Sequence, residues 1–410
     1  MITRRGWLRR SGLNYLALGS AAPNVLVFMT DQESALLPGA ARLPNRERLI
    51  RRGVQFRNAF CTTPQCSAAR SSLLTGLLPH HTGVRTNVDG ESLGKALSPD
   101  LTTIGHVFRK AGYSTSYFGK WHLCRPDKDL TAYGFDHRSA GGDADVAAAA
   151  SIWLSGRKAP WLSWVSLLNP HDIYAVRKEM GSTMARPSVK APGSGLANLV
   201  GKPAEQQEYI DRDQGKITAS FTPEQWRLYR SYYLDLVEKT DALLGQVLDA
   251  VDLDNTIILY TSDHGDQLGE HGLPFKGPFL YDECLRVPLI LSVPGRLKPG
   301  HREDFVNSAD VAPTLAAAAL LQWPTAVDGQ SFLQPLRRDF ICAEYYAKQK
   351  WVNPIRTIRT RDAKLSIYDH TGHREYYDLR RDPSEQHNLA DQTLAPMADL
   401  ERQLNKWRPA

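Results

Sequence analysis

A chain of 410 residues that is 42% hydrophobic and 23% charged has the composition of a soluble globular protein, long enough for one dominant core and a smaller one beside it. The formal charge of +6 is scattered among acids and accompanies no recognition motif, which argues against a nucleic-acid partner and for solvated faces around an anion pocket. Cys61, Cys66, Cys124, Cys284 and Cys342 are odd in number, widely spaced and without a CxxC pair, so a disulfide scaffold and a zinc ribbon are both disfavoured and at least one thiol is left for chemistry.

In chain order, the first feature is TRRGWLRRSGLNYLALGSAAP. Arg4 and Arg5, followed by Trp7 and Leu8, precede a weakly apolar run from Leu13 to Ala22 with small residues at Ser20 and Ala22. Residues 1–22 therefore read as a twin-arginine export signal, with a periplasmic or secreted destination. No later stretch offers the ~20 consecutive apolar residues of a membrane-spanning helix, so no stable membrane insertion is expected.

Four short apolar runs then predict strands, and each ends in a polar cluster. NVLVFM (24–29) leads into Asp31 and Gln32, and YSTSYF (113–118) into Lys120 and His122. WLSWVSLL (161–168) leads into His171, and TIILYT (256–261) into Asp263 and His264. Runs of this length, rich in β-branched and aromatic residues, suit strands buried on both faces. Helical periodicity marks LPNRERLIRRG, TTIGHVFRKAG, DVAAAASIWLSG and the long segment from Pro223 to Val251. The alternation predicts an α/β fold, a large mostly parallel sheet sandwiched by helices, with the four polar clusters along one carboxyl edge where ligands bind. Residues 174–222, rich in proline and glycine, read as an irregular surface insertion. After residue 335 the texture changes to antiparallel strands (FICAEYYA, RTIRTRDAKLSIYD, HREYYDL) and a closing helix. The expected domains are a catalytic unit over 23–334 and a smaller C-terminal α+β subdomain over 335–410.

The polar clusters suggest a chemistry. Asp31 and Asp263 at two strand ends, each followed by a further donor in Gln32 and His264, suit a hard divalent cation, Ca²⁺ or Mg²⁺, with the imidazole keeping Mn²⁺ open. Arg70, Lys120 and Lys276 would add fixed positive charge, and His122 and His171 proton carriers, around a tetrahedral oxyanion such as sulfate or phosphate. Cys66, ahead of SAARSSLLTG, would sit at a helix N-terminus, where free N–H groups also favour an anion.

The segments PNVLVFMTDQ, CSAARSSLLTG, GYSTSYFGKWHL, NPH, TSDHGDQLGEHGL with FKG, NSADVAPTL and EYYDLRRDPSEQHNLA, in this order, resemble the type I, formylglycine-dependent sulfatases of the alkaline-phosphatase-like superfamily. The resemblance covers nearly everything from Asn24 to Leu389. It implies that Cys66, in the position of the C-x-P-x-R cysteine, is oxidised to formylglycine by a formylglycine-generating enzyme, and that the aldehyde's hydrate attacks a sulfate monoester. It further implies metal binding by Asp31, Gln32, residue 66, Asp263 and His264, with Ca²⁺ the first expectation and Mg²⁺ or Mn²⁺ the alternatives. Catalysis would fall to residue 66, Arg70, Lys120, His122, His171 and Lys276. The substrate would be a small-molecule or glycan sulfate ester, with a sugar ester favoured for an exported enzyme. Ala68 and Cys124 depart from the pattern, standing where proline and glycine are usual. Two rivals keep the same residues: a phosphonate monoester or phosphodiester hydrolase on the same scaffold, and a non-catalytic protein that binds sulfated glycans.

Overall fold

The structure, a computed structural model, describes residues 22–89, 93–158, 160–193, 199–392 and 394–407. The expected export signal falls almost wholly on residues 1–21, outside the described residues. Among the described residues no helix is long and apolar enough to cross a membrane.

Eight strands form the main sheet: β1 (Asn24–Asp31), β2 (Val54–Phe60), β3 (Ser114–Gly119), β4 (His137–Ser139), β5 (Trp161–Pro170), β6 (Thr256–Ser262), β7 (Leu289–Ser292) and β8 (Gly300–Asn307). Their order is β4-β3-β5-β1-β6-β7-β2-β8, and every pairing is parallel except those of β7 with β6 and β2. The four anticipated runs are β1, β3, β5 and β6, the adjacent central strands. β1 shows why its run is unbroken. Val25, Val27 and Met29 enter one hydrophobic cluster, while Leu26 and Phe28 enter another on the opposite face. Helices Asp143–Leu154 and Pro223–Leu248 cover the second face through Val146, Ala150, Leu244 and Val247, and helices Cys66–Thr75, Ile104–Lys110 and Val311–Ala318 cover the first through Leu73, Phe108 and Leu315.

The chain then builds a second, four-stranded antiparallel sheet from β9 (Phe340–Lys348), β10 (Trp351–Thr360), β11 (Ala363–Tyr368) and β12 (Arg374–Asp378), in the order β12-β11-β10-β9. The helix Ala395–Lys406 packs Leu400 and Leu404 on one face against Cys342, Ile358 and Leu365. The alternate residues Ile341, Ala343 and Tyr345 turn the other way, into the core of the large sheet. The small sheet thus has one private core and one shared with the large sheet.

Two expectations are corrected. Strands β2, β4, β7 and β8 were not anticipated. β2 carries Arg57 and Asn58, β8 alternates exposed and half-buried positions ahead of Phe305 along an edge, and β4 and β7 are only three and four residues long. Residues 174–222 are also more than an irregular surface insertion. They include the helix Ala204–Arg212, whose Gln206 and Tyr209 are fully buried because the helix packs between the small sheet and the segment that follows Leu273. Gln206 Nε2 donates to Glu375 at 3.1 Å, and Tyr209 packs against Phe279.

The junction between the sheets also holds buried charge. Asp282 takes Arg359 Nη2 and Lys364 Nζ, each at 3.0 Å, and Lys364 reaches Glu385 at 2.9 Å. Among the described residues Glu283 makes no ion pair. Burial, with Glu385 nearby, pushes it up to about 8, and burial pushes Glu385 to about 7 against the pull of Lys364. Both exceed the ordinary 4.5, so the folded chain holds protons that the unfolded chain gives up. Their contribution to stability is complete below about pH 4.5 and is lost as pH rises toward about 8. Glu283→Gln should therefore melt progressively higher than the parent protein as pH is raised from about 5 to about 8, by a few degrees at the upper end. Thermal melts at fixed ionic strength check this, and a difference independent of pH would contradict it.

Candidate active site

The carboxyl edge of the central strands brings the anticipated polar residues together. Asp31 closes β1, and Gln32 follows it with φ 69°. Asp263 and His264 follow β6, and His171 follows β5. Lys120 follows β3, where Gly119, with φ 88°, leaves no room for a Cβ beside the Ser166 carbonyl oxygen. His122 also has positive φ, 62°, and its carbonyl accepts from Ser67 Oγ at 2.5 Å. Cys66 is the first residue of the buried helix Cys66–Thr75, and Arg70 lies one turn on, so both side chains leave the same face. That helix stops at Gly76, whose φ of 75° supplies the left-handed cap.

Arg70 organises the centre. Nη2 meets Asp31 Oδ2 at 2.7 Å and Nε meets Asp263 Oδ2 at 2.8 Å, while Nη1 donates to the Lys120 carbonyl at 2.5 Å and to Ser166 Oγ at 2.8 Å. Lys120 Nζ adds a second cation to Asp31 at 2.6 Å. Burial works against the charge on Asp31, as does Cys66, but Lys120, His171 and Arg70 outweigh them and hold its carboxyl well below the usual range. Asp263 moves the other way, raised by burial and by the neighbouring Asp31 charge.

Cys66 Sγ lies 3.3 Å from His264 Nε2, 3.1 Å from Lys276 Nζ, 3.7 Å from Lys120 Nζ and 3.8 Å from Asp31 Oδ1. Burial opposes ionisation of the thiol, but Lys120, Lys276 and His264 overcome it and hold the thiol well below its ordinary value. The site is built to stabilise negative charge on residue 66 and on what it contacts.

The donor set fits a divalent cation. Asp31, Cys66, Asp263 and His264 are all buried and offer ligand atoms within 4.8 Å of one another. His264 Nδ1 faces the Gly265 carbonyl at 2.9 Å, which places the hydrogen there and leaves Nε2 to accept. Lys276 Nζ stands in for positive charge among these donors, 2.9 Å from His264 Nε2 and 2.7 Å from Gln32 Oε1. Two carboxylates, an amide oxygen and one imidazole match Ca²⁺, Mg²⁺ or Mn²⁺ better than a thiolate-rich zinc site.

A profile of the sulfatase family matches residues 23–320, more than half of the chain. The chain belongs to the sulfatase family. A profile described as the C-terminal region of N-sulphoglucosamine sulphohydrolase matches residues 269–409 of this sulfatase. Among curated relatives, a choline-sulfatase from Rhizobium meliloti is 29% identical, covering 92% of this chain and 84% of its own. A Delta 4,5-hexuronate-2-O-sulfatase from Bacteroides thetaiotaomicron is 27% identical, covering 90% and 84%. Among solved structures, a 2-O GAG sulfatase superposes with TM-score 0.84 at 22% identity over 94% of this chain and 92% of its own. The phosphonate monoester hydrolase of Agrobacterium radiobacter gives 0.77 at 23%, over 94% of each chain. These likenesses agree on the fold, with its large mixed sheet and helices.

Both departures from the family pattern are accommodated. Ala68 lies in the first helical turn, where a backbone N–H has no obligatory intrahelical partner, so alanine is accommodated there without changing the helix's hydrogen bonding. Cys124 is half-buried and takes the Trp121 indole N–H at 3.2 Å, a packing role.

The sequence reading missed Asp266, Ser166, Tyr174 and the wall residues Gln65, Tyr345 and Lys348. Asp266 fixes Gln32 by accepting from its Nε2 at 2.7 Å, and it lies two residues beyond His264, close enough in sequence to have been suspected. Ser166 was hidden inside an apolar strand run, and Tyr345 and Lys348 carry no motif.

Because Arg70 is shared by two buried carboxylates, removing it should be costly. Arg70→Ala is expected to lose about 3–5 kcal/mol of unfolding free energy. Arg70→Lys should fall between the two, since it keeps the charge without the fork. Denaturant unfolding of the three proteins checks the order.

Proposed function

We propose that this sulfatase cleaves a sulfate monoester with formylglycine, formed from Cys66, as its nucleophile and a divalent cation, Ca²⁺ first, at Asp31, Gln32, Asp263, His264 and residue 66. The observation that carries the reading is the setting of Cys66. It stands at the start of a ten-residue buried helix, within the cluster of Asp31, Asp263 and His264 and within reach of the Lys120 and Lys276 ammonium groups. The Cys66 thiol marks where the modified residue's oxygen would stand.

Each side chain then has a defined task. As a hydrated aldehyde, residue 66 supplies one hydroxyl to attack sulfur in line with the leaving oxygen and a second to release sulfate afterwards. A bound cation lowers the pKa of the attacking hydroxyl and withdraws charge from sulfate. Arg70 holds Asp31 and Asp263 in place, and Lys120 balances charge beside residue 66. His171 or Lys276 protonates the departing alcohol oxygen, and His122, beside residue 66, takes the proton of the second hydroxyl. A plain thiol or serine hydroxyl lacks the second hydroxyl and is left esterified until water attacks. We assign maturation to a formylglycine-generating enzyme and the residue 1–22 pattern to twin-arginine export toward the periplasm or beyond. That route carries folded protein, so oxidation and metal loading can precede transport. We also keep the division at residues 334 and 335 as the domain boundary.

The likeness to a phosphonate monoester hydrolase supports a second reading on the same residues. Sulfate and phosphate share shape, and a cation-lined pocket accepts either. The order of kcat/KM for an aryl sulfate, a phosphonate monoester and a phosphodiester decides between them, and sulfate is expected to lead.

Mass spectrometry of the Cys66 peptide, from protein co-expressed with a formylglycine-generating enzyme, is expected to find the aldehyde. An unmodified thiol would overturn the mechanism. Cys66→Ala should lower sulfate-ester turnover by at least about 10³-fold, whereas a sulfated-glycan-binding protein would lose nothing. Stripping divalent cations should abolish turnover and lower the Tm, because the cation binds the folded chain and relieves the crowding of Asp31 and Asp263. Re-addition of Ca²⁺, Mg²⁺ and Mn²⁺ one at a time, followed by Tm and by activity, identifies the ion.

A further inference from the structure

The pocket that opens on Cys66 has a volume of about 200 Å³ and two unlike walls. The reacting wall carries Cys66, His122, His171 and Lys276. The facing wall is assembled from distant parts of the chain: Gln65 ahead of the Cys66 helix, Gln214, and the β9–β10 hairpin with Tyr345, Lys348 and Gln349.

Two polar groups on that wall have no protein partner among the described residues. Gln65 donates its Nε2 to the Ala347 carbonyl at 2.6 Å, which fixes the amide and leaves Oε1 buried and unmatched. Tyr345 is 3% exposed, and its hydroxyl is likewise unmatched. Burial, with Asp213 and Tyr174 close by, raises the Tyr345 phenol well above its ordinary value, so it stays a neutral donor and acceptor. Leaving buried polar atoms unmatched is costly, and such atoms are explained where a ligand completes them. An amide oxygen needs a donor and a phenol can give or accept. A hydroxyl group meets both demands.

Charge on the same wall narrows the choice. Lys348 Nζ is held by Asp213 at 2.7 Å and Gln214 at 2.8 Å, and it shares the pocket with Lys276. Burial lowers Lys348 to about 8 against the pull of Asp213, and Lys276 pushes in the same direction as burial. A trimethylammonium group would need open aromatic faces. The Tyr174 ring is stacked on Phe275 at 4.1 Å and already has Lys276 Nζ at 6.0 Å from its centroid.

We propose that Gln65, Tyr345 and Lys348 are the specificity-determining wall of this pocket, selecting sulfate esters of hydroxyl-rich, uncharged or anionic alcohols, as in sugars, and rejecting esters of cationic alcohols. The inference rests on the sulfatase reading. A larger chamber of about 650 Å³ shares Asn87, Asp89, His122 and His171 with the pocket, giving room for a neighbouring sugar unit.

The test uses full-length protein shown by mass spectrometry to carry formylglycine. Its kcat and KM are measured on hexose monosulfates esterified at O2, O3, O4 or O6, on choline sulfate and on p-nitrophenyl sulfate. The best hexose ester should exceed choline sulfate at least tenfold in kcat/KM. Tyr345→Phe should lower the ratio of hexose to aryl kcat/KM about tenfold, mainly through KM. Lys348→Met should narrow the gap between hexose and choline esters. A preference for choline sulfate, or hexose and aryl rates that fall together in Tyr345→Phe, overturns the assignment. Turnover of the aryl ester with no hexose preference overturns it while leaving the sulfatase reading intact. Turnover of no ester at all overturns both.

Discussion

One guanidinium joins the parts of this site. Arg70 binds the carboxylates that end β1 and β6, the carbonyl that follows β3 and a hydroxyl on β5. The ends of four adjacent strands are thereby tied to the helix that carries Cys66 one turn earlier. Asp31 and Asp263 are fully buried, so their charges are tolerable only with such a partner in place. The arrangement is also directional, because a planar fork fixes both carboxylates where a flexible ammonium would not.

From that anchor the electrostatics follow. Asp31 has two cations and stays ionised, whereas Asp263 shares one of them and is raised by its neighbour. In the proposed mechanism the crowding that remains between them is what a bound divalent cation would relieve. In the same mechanism the surplus of lysines around residue 66 is what a sulfate group would use. Both charges are set in a buried, preorganised frame, where each interaction counts for more than it would in water.

The small sheet contributes more than a cap. One of its faces completes the large core through Ile341, Ala343 and Tyr345, and its hairpin supplies a pocket wall. Position and stability are coupled here. The network of Asp282, Arg359, Lys364 and Glu385 ties the small sheet, which carries that hairpin, to the segment that follows Lys276. The helix Ala204–Arg212 has a similar place. Its Tyr209 packs under Lys348 with the ring centroid 4.7 Å from Nζ, so the segment read as a surface loop supports the pocket from behind.

The central strands could be read directly, because a strand buried on both faces is apolar throughout and its first polar residues mark its carboxyl end. Asp31, Lys120, His171 and Asp263 were singled out in this way, Cys66 by its place ahead of a short apolar helix, and its pairing with Arg70 by the resemblance to the C-x-P-x-R motif. β2 and β8 could not be found so, since a strand with one wet side or an interior arginine breaks the pattern that was sought. The kinds of chemical group at the reaction centre and their order along the chain were determined by sequence alone, because local apolar periodicity decides where each strand and helix ends. The tertiary structure decided what faces that centre. Gln65 and Tyr345 lie 280 positions apart, and only the docking of the small sheet on the large core sets them on one wall.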